Sequence, residues 1–206
     1  IGIRLAGLLL VPLYTYNLTP AEYGIVEYLD LTAMFIGMLF NLGLSTAVYR
    51  FYYRSEDPGE RKAAISTALI PVTLLSVLIS AVMVVASPSL AEHIFHDARF
   101  QHYLRVVFVG FGFNALAEFG MTYLAVLQRS SLYARLTIFK FLLGAGLNIL
   151  FIVGMHLGVL GILYSNLIAN VVLGVPLMIH VVRQCGMGFS RPLFWEMVRY
   201  GYPMVL

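Results

Sequence analysis

Charge is what this chain has least of. Lysine, arginine, aspartate and glutamate together make up 11% of its 206 residues, against 60% hydrophobic residues. No soluble domain of this length needs so much apolar surface, so the composition points to a membrane protein. Cysteine is almost missing. The single Cys185 excludes an intramolecular disulfide and supplies no metal framework. Also missing are a Walker A loop, an HExxH helix, a GxSxG elbow and a basic patch of the kind that binds nucleic acid. The apolar runs show no period-two alternation, which excludes barrel strands in favour of helices. The first segment carries Arg4 and has no small-residue cleavage site, so it does not read as a signal peptide.

What is present is a succession of apolar runs. A hydrocarbon core about 30 Å thick needs roughly 20 helical residues. Candidate spans are Ile1–Asn17, Glu22–Tyr49, Ala63–Ala86, Tyr103–Leu127, Leu136–His156 and Gly158–Val182, and a seventh starts near Leu193. The first and seventh read as incomplete, as in a piece of a longer protein. The expected organisation is a six-helix transmembrane lobe over 1–186, with a cytoplasmic link and the start of a seventh helix over 187–206.

Local chemistry marks the turns. Thr19-Pro20-Ala21-Glu22 has the form of a capping box with proline at the first helical position, and Asp57-Pro58-Gly59-Glu60 repeats it. Ser89–Asp97 predicts a short interfacial helix with Leu90, Ile94 and Phe95 on its apolar side. Within it His93, His96 and Asp97 read as a solvated segment, and no metal site is expected. Pro12, Pro71, Pro176 and Pro203 fall inside spans, where membrane helices tolerate kinks.

Basic residues set the orientation. Arg50, Arg54, Arg61, Lys62, Arg129, Arg135, Arg183, Arg191 and Arg199 follow the even spans, whereas Arg99 and Arg105 alone lie on the other side. The positive-inside rule therefore makes the arginine-rich links cytoplasmic.

Several spans carry polar residues at helical spacing. Glu27, Asp30, Met34, Gly37, Asn41 and Ser45 share one face of the second span, and Gly110, Asn114, Glu118 and Met121 one face of the fourth. Lys140, Gly144 and Asn148 do so on the fifth, and Thr73, Ser76 and Ser80 on the third. Asn166 and Asn170 add a pair on the sixth. For the small residues and the serines, plain helix–helix contact is the simpler reading. For the asparagines, helix contact and cavity lining are equally open. A lipid-facing charge at a helix centre costs about 2.5–3.5 kcal/mol, so Arg4, Asp30, Glu118 and Lys140 are expected to face a polar interior. Counting residues along each span predicts Arg4, Glu118 and Lys140 toward the cytoplasmic half. Glu27 and Asp30 then form an acidic outer half.

Several stretches resemble the flippases of polysaccharide and O-antigen biosynthesis, in the multidrug/oligosaccharidyl-lipid/polysaccharide exporter superfamily. They are Pro12-Leu13-Tyr14 with Leu18–Ile25, Leu42-Gly43-Leu44 with Ala47–Tyr52, Gln128–Ala134, Leu157–Leu163, and Phe189-Ser190-Arg191 with Met197–Pro203. The resemblance implies an all-α, polytopic transmembrane bundle, the N-terminal lobe of a two-lobed transporter of about 12–14 helices. It implies transport without catalysis: movement of an undecaprenyl-pyrophosphate-linked oligosaccharide across a bacterial inner membrane, with no cofactor. Membrane lipids, polysaccharide-assembly proteins and a coupling cation or proton are the partners it implies, and nucleic acid is not one. Arg4, Lys140, Asn41, Asn114 and Asn148 are the expected cargo contacts, while Glu27, Asp30 and Glu118 are assigned to coupling or charge pairing. Two alternatives stay open: a cation-coupled multidrug exporter of the same superfamily, and a membrane-embedded glycan polymerase or ligase.

Overall fold

The computed structural model describes residues 11–40, 43–95, 97 and 100–201, with side chains for 14–35, 43–93, 95, 97 and 100–201. Its helices are α1 (Val11–Asn17), α2 (Pro20–Phe40), α3 (Leu44–Arg54), α4 (Pro58–Leu90), α5 (Phe100–Val126), α6 (Ser130–Asn148), α7 (Val159–Cys185) and α8 (Arg191–Gly201). Among the described residues there is no strand. Among the described residues four helices are long and apolar enough to cross a membrane, namely α4, α5, α6 and α7 with the short π segments that extend α4 and α6. The chain is an all-α membrane bundle.

The helix starts follow their local chemistry. At α2, Thr19 N donates to Glu22 Oε2 at 2.9 Å and Glu22 N donates back to Thr19 Oγ1 at 3.3 Å, closing the capping box. At α4, Glu60 N donates to Asp57 Oδ2 at 2.9 Å with Pro58 in the first turn.

Two expectations are corrected. The run predicted as one span, Glu22–Tyr49, is divided: α2 ends at Phe40 and α3 starts at Leu44, with Gly43 at φ 63° between them. A left-handed residue cannot continue a right-handed helix, and glycine adopts that conformation without a Cβ penalty. A second reason lies across the gap, because a Cβ on Gly43 would sit 2.8 Å from Gly201 Cα at the end of α8. The separate interfacial helix expected at Ser89–Asp97 does not form either. Instead α4 runs on to Leu90 and continues as a π turn over Ala91–Phe95, with Ala91 N donating back to Ser87 O and Pro88 O.

In the bundle, α5 is central and packs along α4 and α7. Small residues allow this. A Cβ on Gly174 of α7 would stand 3.0 Å from Phe113 O and 3.1 Å from Ala117 N of α5, so the two backbones are in near contact. The helix α6 leans on α7 and, less extensively, on α5, while α2 rests on α5 and α7.

Apolar burial is concentrated at the two ends of the bundle. One cluster holds Phe51, Ile65, Phe119, Leu124, Val181 and Met197. It lies at the end where the basic residues gather, and polar ties fasten it there. Tyr53 Oη donates to Val126 O at 2.6 Å, Ser190 N donates to Thr67 Oγ1 at 3.2 Å, and Arg54 pairs with Glu196 at 3.3 Å. Arg50 lies 4.1 Å from the centre of the Tyr200 ring and Arg61 lies 5.2 Å from that of Tyr52. At the opposite end a second cluster contains Leu29, Leu104, Phe108, Ile152 and Ile162.

Candidate functional site: a mixed-charge cavity

Between the two clusters the packing opens into a cavity of about 620 Å³. Leu44 of the basic-end cluster and Ile79, Val106 and Leu163 of the opposite one form its apolar margins. Its polar wall comes from six helices and includes Asp30 of α2, Ser45 of α3 and Ser76 of α4. Asn114 and Glu118 of α5, Lys140 of α6 and Asn166 and Asn170 of α7 complete it. The volume lies within the range usual for small-molecule sites.

Helical periodicity explains the convergence. Asn114 and Glu118 are one turn apart on α5, as are Asn166 and Asn170 on α7, so each pair faces one way. Lys140 Nζ donates to Asn114 Oδ1 at 3.4 Å, which aims the ammonium at the α5 side of the cavity. The carboxylates of Asp30 and Glu118 are exposed on the same cavity. Among the described residues the ion pair within 4 Å is Arg54–Glu196, so neither of these carboxylates is locked to Lys140 at that distance. One cation, two carboxylates and three amides therefore share a space whose margins are apolar. Chemically, such a wall can hold an anion at Lys140, a cation or proton at the acids, and hydroxyl groups at the amides.

The expected site residues separate into three sets. Lys140, Asn114, Asp30 and Glu118 come together on the cavity. Asn148 and Glu27 do not line it. Asn148 is buried, and its Nδ2 turns back to donate to Gly144 O at 2.9 Å within α6. Glu27 is exposed three residues before Asp30, nearer the start of α2. Arg4 and Asn41 lie outside the described residues. Asp30, expected in the outer half of its span, lines the same cavity as Lys140 and Glu118, expected toward the cytoplasmic half.

Ser45, Ser76, Asn166 and Asn170 belong to the cavity wall without having been assigned to the site. Their signal was polar spacing on apolar helices, which does not distinguish a helix contact from a cavity lining. Ser76 shows the ambiguity directly, since its Oγ donates to Val72 O at 2.6 Å while the residue also borders the cavity.

The model of a family described as polysaccharide biosynthesis protein matches residues 17–206. The chain belongs to that family. The match takes in every helix from α2 to α8 and all the polar cavity residues named above. No curated protein and no solved structure matches the chain. Membership places the protein in polysaccharide biosynthesis, and its long apolar helices make it a multi-pass membrane protein.

Proposed function

We propose that the protein is a transporter, not an enzyme, and that it moves an undecaprenyl-pyrophosphate-linked oligosaccharide across the bacterial cytoplasmic membrane. The observation that carries this reading is Lys140 on a polar cavity lined in large part by four helices long and apolar enough to span a membrane. A pyrophosphate crossing a low-dielectric layer must exchange water for fixed donors, and an ammonium in such a cavity supplies a charge-assisted one. Amides and hydroxyls suit the sugar, while the prenyl chain stays in lipid. The cargo, the surrounding lipids and a coupling cation or proton are the partners of this reading, with polysaccharide-assembly proteins receiving the product. Asp30 and Glu118 are assigned to coupling. A carboxylate that exchanges its cation or proton between end states would tie a gradient to cargo movement.

The same two acids favour a second reading, export of cationic compounds. One experiment separates the two. The full-length protein is expressed in cells lacking their own oligosaccharide-lipid flippase, and glycan at the cell surface is followed beside tolerance to cationic drugs. Restored glycan export that Lys140→Ala reduces to background, at unchanged membrane levels, supports lipid-linked oligosaccharide transport. Export unaffected by Lys140→Ala removes this lysine from the cargo site. Drug tolerance without glycan export favours the exporter.

A further inference from the structure

Among the described cavity residues, Asn170 is the one whose side chain leaves a buried polar atom unpaired. The residue is 8% exposed, its Oδ1 is buried with no hydrogen-bond partner among the described residues, and it borders the cavity from α7. Ser80 Oγ and Asn148 Oδ1 are buried without a partner in the same way, but neither residue lines the cavity. A carboxamide carries two N–H donors and an oxygen with two lone pairs, and leaving that oxygen unmet in a buried setting costs free energy. No hydrogen bond to a described group holds the amide against rotation, so its oxygen can turn to the cavity when a donor arrives there.

The identity of that donor follows from charge and hydrogen-bond capacity. A pyrophosphate at neutral pH offers acceptors and cannot satisfy a carbonyl oxygen. A sugar hydroxyl donates and accepts at once, and an acetamido N–H donates. The anion-seeking group is elsewhere on the wall, where Lys140 engages the Asn114 oxygen between α6 and α5. The α7 side holds Asn166 and Asn170 one turn apart, and no charged residue of α7 lines the cavity. We propose that Asn170, supported by Asn166, is the specificity-determining position that reads hydroxyl or acetamido groups of the cargo sugar. The assignment rests on the transport reading above and adds a division of labour to it: α6 and α5 for the charged linkage, α7 for the glycan. A site with a buried hydrogen-bonding group discriminates strongly against a ligand that leaves it unpaired.

The test uses full-length protein in nanodiscs and two probes, a short-chain prenyl pyrophosphate carrying a disaccharide and the same prenyl pyrophosphate without sugar. Asn170→Leu is expected to weaken binding of the sugar-bearing probe about tenfold and to leave the sugarless probe unchanged. Asn166→Leu, at a more exposed position and therefore safer for folding, should produce the same selective loss in smaller measure. Thermal unfolding of each variant checks that the fold is intact. Equal weakening of both probes, or no weakening of either, overturns the assignment to Asn170. Lys140→Ala reports separately on the transport reading, since it should weaken both probes. Wild-type protein that binds neither probe overturns that reading and the sugar assignment with it.

Discussion

The helices α6 and α7 are both apolar enough to span a membrane, yet half of the most apolar window of α7 is buried inside the bundle and 11% of that of α6. Hydropathy does not explain the difference. Gly161, Ser165, Ala169 and Gly174 are buried along α7 and bring its backbone against neighbouring helices. On α6 the one buried residue is Asn148, and a Cβ on Gly144 or Gly146 would meet nothing within 4 Å. In lipid the tails are as apolar as the side chains, so close association follows small residues and shape instead of hydrophobicity. The result is a tightly held helix that forms a wall and a loosely held one that contributes a single charged side chain, Lys140, to the cavity.

Glycine substitution on the two helices should break that comparison most visibly. Gly174→Leu must push α7 off α5 and is expected to cost about 1–3 kcal/mol, the usual range for overpacking. Gly144→Leu faces open space and should stay within about 0.5 kcal/mol of wild type. Thermal unfolding in detergent reads both, and equal losses would mean that α6 is packed as closely as α7. A smaller effect is expected at the buried amide of α6. Asn148→Leu removes an oxygen with no partner as well as a bond to Gly144 O, and a gain of up to about 1 kcal/mol is the outcome. A clear loss in the same assay would show that Asn148 anchors α6 through its polarity. The smallest change belongs to Arg54→Ala at the basic end. Its pair with Glu196 is 3.3 Å long, but the two side chains are 65% and 58% exposed, so less than about 1 kcal/mol is at stake. A double-mutant cycle with Glu196→Ala gives the pair term, and a coupling well above that value would make the clasp a structural element.

Much of this arrangement is written in local sequence. The capping residues at Thr19 and Asp57, the long helices between Pro58 and Cys185, and the polar faces of α2 and α5 follow from spacing of a few residues. What depends on neighbours is hidden. Asn114 and Asn148 both sit on polar stripes of their helices, yet one faces a cavity and the other a packed contact, because spacing fixes a face and not what stands opposite. Gly43 sits inside a long, largely apolar stretch, and one reason no side chain fits there is Gly201, remote in the chain. Asn170 was legible as polar. That its oxygen lacks a partner is a property of the packed bundle.

The meeting of Gly43 and Gly201 bears on how the bundle can deform. Where two side chains touch, a displacement of a few tenths of an ångström is absorbed by a change of rotamer. Where a Cβ would already lie 2.8 Å from the opposite Cα, backbone meets backbone with no such slack. At Gly43 and Gly201 the start of α3 and the end of α8 therefore meet without intervening side chains, and a shift of one backbone acts directly on the other.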